Sequence, residues 1–100
     1  MVEVAIVILN KMDYSKLIDC AAIKDLEGKI WTGKRHSHCI KTIIQASNGK
    51  IKQVGGDYIQ GFVTMAGDFV NRQEAARLAL ESKQIDKLKW PPDLYSEDLY

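Results

Sequence analysis

The sequence predicts a single α+β domain with a mainly antiparallel sheet and two helices, and three observations lead to this fold class. The 100-residue chain has no long polar linker, so we expect one domain over residues 1–100. Short apolar and β-branched runs separated by turn residues predict strands. Two other segments carry apolar residues at helical spacing. Because so short a chain buries a small share of its surface, we also expect an oligomer.

Three strands are predicted in the first third of the chain. Residues 2–10, VEVAIVILN, form a run rich in β-branched side chains, and residues 17–24, LIDCAAIK, form a second apolar run. DLEG supplies a turn after the second run, and KIWTG at 29–33 follows it as a short third strand.

A change of period after residue 33 predicts the first helix. Cys39, Ile40, Ile43 and Ile44 lie at helical spacing, with polar side chains on the opposite face. Gly49 fits a left-handed cap after this helix. The basic stretch GKRHSH, which ends at residue 38, therefore falls at the first helical turn.

The second half of the chain predicts a hairpin and the second helix. Residues 50–54, KIKQV, are compatible with a further strand, and YIQGFVT and DFV flank MAG as in a hairpin. In NRQEAARLALESKQI, Asn71 is a good N-cap and Glu74 follows three residues later, as in a capping box. The prolines of WPPD end helical structure. The apolar LYSEDLY terminus is expected to dock on its own domain or on a neighbouring subunit.

The charges are distributed unevenly although the net charge is only +1. Residues 28–56 contain six lysines and arginines and no carboxylate, whereas residues 1–27, 57–85 and 86–100 are each net negative. The basic segment is either a solvated face that pairs with the acidic ends or a site for an anion. The near-zero net charge argues against nucleic acid as the partner.

Both predicted helices carry cations at their starts. Residues 34–37, KRHS, place donors where free N–H groups and the positive dipole end receive an anion. Arg72 follows the second N-cap, where the dipole disfavours a cation. We expect Arg72 either to pair with Asp68 or the acidic terminus, or to bind an anion. Arg77, by contrast, has acids at i−3 and i+4 as structural partners.

Catalytic, metal-binding and membrane functions find no support in the sequence. His36, His38 and Cys39 are too few for a structural zinc site, which takes about four ligands. No nucleophile has an obvious base, and no apolar run approaches the roughly 20 residues that span a bilayer. We therefore expect no catalytic residues, no metal, no cofactor and no membrane partner. Cys20 and Cys39 lie in apolar segments and are expected to be reduced and buried.

Three blocks, TGKRHSHCI, GFVTMAGDFVNRQEAARLAL with KQI, and the terminal LYSEDLY, resemble a family of small phage proteins, the first-described type of Thoeris anti-defence protein. The resemblance implies immune evasion by a sponge in the cytoplasm of the bacterial host. Such a protein binds cyclic ADP-ribose isomers made by TIR-domain enzymes and sequesters them without degradation, which inhibits Thoeris immunity. It also implies a homo-oligomer with the ligand between subunits and, for some members, binding of small cyclic oligonucleotides.

The chemistry of cyclic ADP-ribose selects candidate ligand-binding residues within and beside these blocks. A dianion with one adenine and two riboses calls for cations, an aromatic surface and partners for hydroxyl groups. The candidates are the phosphate partners Arg35, His36 and Arg72, the stacking partners Phe62 and Phe69, and the hydroxyl partners Thr64, Asn71, Asp93 and Ser96. The alternative position for the phenylalanines is the hydrophobic core.

Two other classes of function stay open at this point. The first is an enzyme that acts on a cyclic nucleotide. The second is a small accessory module that binds nucleic acid or protein. Recovery of intact ligand after denaturation separates a sponge from an enzyme, and a steep salt dependence of binding would indicate a polyanion.

Overall fold

The computed structural model describes residues 14–99, in which a four-stranded sheet and three helices follow a 3-10 turn at Tyr14–Lys16. The elements are β1 (Ile18–Lys24), β2 (Ile30–Gly33), α1 (His36–Ala46), β3 (Ile59–Thr64), β4 (Phe69–Asn71), α2 (Arg72–Glu81) and α3 (Ser96–Leu99). The predicted α+β class is confirmed, and α3 is an addition. The strand predicted at residues 2–10 lies outside the described residues.

The sheet has the strand order β2-β1-β3-β4, and every neighbouring pair is antiparallel. Ala21 of β1 pairs with Gly33 on one side and with Phe62 on the other. β3 in turn pairs with β4 across the predicted hairpin, with Phe62 opposite Val70. β1 and β3 are therefore interior strands, and side chains near the middle of β3 lie between the two main helices.

The core lies between the sheet and the helices. α1 packs on β1 and β2, while α2 packs on β1, β3 and β4. The alanines of α2 at positions 75, 76 and 79 are buried, and such small side chains allow the helix to approach the sheet closely. The largest fully buried side chains are Phe62, Ile23, Leu94 and Cys39. The prediction of a buried Cys39 is thus confirmed, whereas Cys20 is half-buried.

Gly61 is required where β3 meets β4. A Cβ atom at this position would lie 2.1 Å from the Val70 carbonyl oxygen and 2.7 Å from Cζ of Phe69. Real side chains do not come this close to backbone, so a larger residue would separate the strands. Because Gly61 has no side chain, the Phe69 ring can pack directly over β3. The Gly61 carbonyl oxygen forms a hydrogen bond with the buried His36.

The C-terminal segment docks on its own domain, which is one of the two predicted positions. Leu94 is fully buried, and its N–H donates to the Arg72 carbonyl. Burying a leucine contributes about 1.5–3 kcal/mol, enough to hold such a segment. The strand considered for residues 50–54 is wrong: the Ile51 N–H donates to the Ser47 hydroxyl, so this backbone bonds to the end of α1 rather than to a strand.

Candidate functional site

The starts of α1 and α2 meet at one end of the domain, beside β3 and the C-terminal segment. α1 begins at His36, so the basic stretch does lie at a helix start as predicted. His36 contacts Gly61 of β3 and Ser96 of the C-terminal segment. Arg72 contacts Gln60 of β3 and Leu94 of the same segment. Four parts of the chain therefore converge on two neighbouring side chains.

His36 joins these parts through both of its ring nitrogens. Nε2 lies 2.7 Å from the Gly61 carbonyl oxygen, which can only accept, so Nε2 carries the proton and donates it. Nδ1 lies 2.7 Å from Oγ of Ser96, and because burial lowers the pKa of His36 below its ordinary value the ring is neutral at neutral pH, so Nδ1 accepts the hydroxyl proton. The same hydroxyl oxygen accepts from the His36 N–H at 3.4 Å. The imidazole is thus neutral, with a fixed tautomer.

Burial is the main cause that lowers the pKa of His36 below its ordinary value. The Gly61 carbonyl opposes this shift, the nearby Arg72 charge adds to it, and Glu97 opposes it. The charge of Arg72, at the start of α2, therefore acts on His36, at the start of α1.

Three residues that were predicted as ligand contacts are buried. His36 is 8% exposed, Ser96 is 3% exposed and Phe62 is 0% exposed, so none of them offers an open face to a ligand. The Phe62 ring instead meets the His36 ring edge-on, with centroids 5.0 Å apart. These residues hold the helix start, the sheet and the C-terminal segment together, and Phe62 takes the alternative position in the core.

Arg72 is half-buried and oriented by neutral groups. Its Nη1 donates to the Leu94 carbonyl oxygen at 2.8 Å, and its Nη2 donates to Oε1 of Gln60. The guanidinium carbon lies 4.4 Å from the centre of the Tyr95 ring. These bonds use two of the five N–H groups of a guanidinium. The expected pairing with Asp68 is therefore wrong, because the bonds of Arg72 go to Gln60 and Leu94.

The charges of carboxylates in the C-terminal segment affect the pKa of Arg72. Burial lowers the pKa of Arg72, while Tyr95, Asp93 and Glu97 oppose the shift. Asp93 is half-buried, and its N–H donates to the Trp90 carbonyl oxygen at 3.2 Å, which fixes the turn before Tyr95. The predicted residues Arg72 and Asp93 are thus brought together.

An aromatic surface that the sequence interpretation missed lies next to Arg72. Trp90 is 54% exposed, and its ring meets Tyr95 edge-on with centroids 5.4 Å apart. Trp90, Tyr95 and Glu97 line a shallow depression of about 370 Å³. The available signal was the aromatic pair in WPPDLY, which was interpreted only as a helix stop and a docking segment.

Two other predicted residues flank this end of the chain. Arg35 is the half-buried N-cap of α1, and its carbonyl oxygen accepts from the N–H groups of His38 and Cys39. Asn71 is the N-cap of α2, and its side chain accepts from the Glu74 N–H at 2.8 Å, as predicted. The cap bond occupies the Asn71 oxygen, and its amide NH₂ lies on an exposed residue.

Thr64 and Phe69 lie away from the Arg72 site. Thr64 is 4% exposed and lines a cavity of about 380 Å³, whose wall also includes Lys16 and Arg77. Phe69 is half-buried, with Nζ of Lys24 lying 4.8 Å from the centre of its ring. The structure therefore separates these two residues from the other candidates.

Arg77 has the structural partners that its spacing predicted. It forms salt bridges with Glu74 and, at 2.8 Å, with Glu81. The bond to Glu74 is the first cause of its raised pKa. Two arginines five residues apart on one helix thus differ in environment, because Arg77 bonds to carboxylates in solvent and Arg72 bonds to neutral oxygens at the domain surface.

Within residues 14–99, no group of three or more His, Cys, Asp or Glu side chains is arranged to hold a metal ion. Over the same residues, no helix is long and apolar enough to cross a membrane. Burial raises the pKa of the Cys39 thiol to about 11, so this cysteine is protonated at neutral pH.

Comparisons with known proteins give one match. No curated protein and no solved structure matches the chain. The family model described as Phage T4 y16D protein matches residues 17–100, which include every residue of the Arg72 site. The chain therefore belongs to the Phage T4 y16D protein family.

Proposed function

We propose that this phage-family protein is an anti-defence protein that sequesters a cyclic ADP-ribose-type signal without degrading it and so blocks Thoeris immunity. The observation that carries the proposal is the half-buried Arg72, held by Leu94 and Gln60 against Tyr95 beside the exposed Trp90. The resemblance of the TGKRHSHCI, GFVTMAGDFVNRQEAARLAL and LYSEDLY blocks supplies the ligand class.

The phosphates of the ligand would be bound by Arg72. The hydrogen-bond partners of this guanidinium are neutral oxygens rather than carboxylates, and its planar fork matches two phosphate oxygens. Because the protein already fixes this side chain, little conformational entropy is lost when the anion binds. The donors at the start of α1, including Arg35, add positive potential from the adjoining helix.

The adenine would stack on Trp90 in place of the phenylalanines chosen from the sequence. Trp90 has the larger ring and is the exposed one, whereas Phe62 is enclosed in the core. The carboxylates of Asp93 and Glu97 would accept hydrogen bonds from ribose hydroxyls, and Asn71 has an amide that can donate. The candidate contacts are therefore Arg35, Asn71, Arg72, Asp93, Trp90 and Glu97.

A homo-oligomer would complete the site. The depression beside Trp90 is shallow, and ligands held tightly are mostly enclosed on several sides. A second subunit laid over this surface would supply the missing wall and exclude water from the phosphates. We therefore propose that the ligand is held between subunits, and from the resemblance that this happens in the host cytoplasm.

The rival functions predict different outcomes in one experiment. An enzyme needs a reactive group at the ligand, and His36 is enclosed with both nitrogens hydrogen-bonded. Purified protein is titrated with cyclic ADP-ribose isomers and then heat-denatured, and the supernatant is analysed. Stoichiometric depletion followed by recovery of intact ligand supports the sponge, whereas linear or cleaved products indicate an enzyme. Absence of binding would direct attention to the accessory-module alternative.

A further inference from the structure

A second cleft lies at the opposite end of α1. The β1–β2 turn, the last turn of α1 and the segment before β3 enclose about 330 Å³, which is within the size range of small-molecule sites. α1 has 11 residues and is therefore about 16 Å long. The cleft shares no lining residue with the depression at Trp90, so the two surfaces are separate.

The cleft has aromatic walls and an aliphatic floor. Ile43 belongs to the buried core, and the partly buried Trp31, Ile51 and Tyr58 pack against that core. Nε1 of Trp31 donates to Oδ2 of Asp25 at 2.9 Å, which fixes the indole at the rim. An aliphatic chain laid in this cleft would be covered on both sides by apolar surface.

The electrostatics of the cleft favour a cation. Asp25 and Glu27 lie on the rim, and the hydrogen bond from Trp31 is the main cause that lowers the pKa of Asp25. The carboxyl end of α1 also faces the cleft at Ala46 and Ser47, and no basic residue lies in its last turn. The negative end of the helix dipole therefore adds to the two carboxylates.

The protein already places an alkylammonium group in this cleft. Nζ of Lys29 lies 4.1 Å from the centre of the Trp31 ring, and both residues line the cleft. This cation–π contact does not involve the carboxylates, and it shows that a primary ammonium group can pack on the face of the Trp31 ring. A lysine side chain, four methylenes ending in an ammonium, has the same chemistry as half of a linear polyamine.

We propose that this cleft binds a linear polyamine, with an ammonium replacing Lys29 over Trp31 and its methylenes on Ile43 and Ile51. The second ammonium pairs with Glu27 at the rim. The net charge of the chain is +1, so attraction of a polycation depends on this local arrangement rather than on the whole protein.

The test is calorimetric titration of the full-length protein with spermidine, with a neutral diol of similar length as the uncharged probe. Saturable one-to-one binding of spermidine, weakened by salt and absent with the diol, is the expected result. Trp31→Leu should weaken binding about tenfold through the lost cation–π contact. Glu27→Gln removes an exposed charge and leaves the core unchanged, and it should weaken spermidine binding about two- to fivefold. This variant tests the proposal even if Trp31→Leu fails to fold.

The sharpest variant is Lys29→Gln, because it removes the competing internal ammonium. Spermidine binding should become about two- to fivefold tighter, which corresponds to an exposed cation–π contact. Lys87→Gln makes the same charge change at an exposed residue that does not line the cleft, and should leave the affinity within about twofold. Absence of saturable binding in the wild-type protein, or equal effects of the two lysine variants, would overturn the proposal.

Discussion

The guanidinium of Arg72 lies over the ring of Tyr95, with its central carbon 4.4 Å from the ring centroid. This contact joins the start of α2 to the C-terminal segment, and Leu94 strengthens it by accepting from Nη1 of the same guanidinium. Trp90 extends the aromatic surface outward from Tyr95. A fixed cation beside an exposed indole is suited to a ligand that combines phosphate with a planar base.

Trp90→Ala separates ligand binding from stability. The indole is 54% exposed, so its removal should cost little beyond the edge-to-face contact with Tyr95, about 0.5–1.5 kcal/mol. Loss of a base-stacking contact should weaken binding of a cyclic ADP-ribose isomer about 5- to 150-fold. Calorimetric titration measures the affinity. Leu26→Ala, at an apolar side chain that is 66% exposed elsewhere, serves as the control, and equal affinities in both variants would remove Trp90 from the site.

Arg72→Ala should affect both stability and binding. The side chain bonds to Leu94 and Gln60, so it holds the C-terminal segment to the fold as well as lying at the candidate site. Leaving the Leu94 carbonyl without its partner should destabilise the fold by about 1–3 kcal/mol, and the lost charge should weaken ligand binding about 10- to 100-fold.

Arg77→Ala is the matched control for Arg72→Ala. Its salt bridges with Glu74 and Glu81 are exposed and contribute little to stability, and Arg77 does not line the depression at Trp90, so both stability and binding should be nearly unchanged. Both variants are compared by thermal melting and by titration at a temperature where each is folded. Full affinity in folded Arg72→Ala protein would assign Arg72 a structural role only.

His36 should make the stability depend on pH below about 6.5. Its folded pKa lies below the unfolded value because of burial, so the unfolded chain takes up the proton first as the pH falls. The contribution of neutral His36 to the free energy of unfolding is therefore complete above about pH 6.5 and declines as the pH falls below that value. Thermal melting of wild-type, His36→Gln and His38→Gln proteins measures this decline. His38 is exposed, so only His36→Gln should flatten the curve; the same slope in all three would contradict the assignment.

The sequence correctly predicted the elements that are stabilised by contacts between residues close together in the chain. The start of α2 follows from Asn71, whose side chain accepts from the Glu74 N–H three residues later. The ion pairs of Arg77 span three and four residues, and the strand partners of the β3–β4 hairpin lie at most ten residues apart. The start of α1 was also predicted, from the change of period, but the contacts that fix His36 there join it to Gly61 and Ser96 at separations of 25 and 60 residues, and no local pattern contains that information.

Only part of the candidate site was predicted, because the sequence reveals contacts between residues that are close in the chain and not those between distant residues. Arg72 was identified because a cation at a helix start conflicts with the dipole, which is a local signal. The sequence left open whether the phenylalanines lie in the core or face a ligand, because strand register determines which ring is enclosed. Phe62 lies opposite Ala21 under the helices, whereas Trp90 lies on the surface beside Tyr95.

The oligomeric state can be measured directly. Exposed apolar side chains are present at Ile59, Met65 and Trp90, and a shallow ligand site needs a covering surface. We expect at least a dimer at micromolar concentration, measured by light scattering with and without a cyclic ADP-ribose isomer. A particle of 11.3 kDa across that range, with or without the ligand, would contradict an intersubunit site.

The fate of the bound ligand tests the central claim most directly. The protein is incubated with an equimolar cyclic ADP-ribose isomer, free ligand is removed, the complex is heat-denatured, and the released compound is identified by mass spectrometry. Sequestration predicts one ligand recovered intact for each binding site, with the amount unchanged after prolonged incubation. Linear ADP-ribose, ribose phosphate or free base that accumulates with time would contradict sequestration and assign the protein to the enzymes.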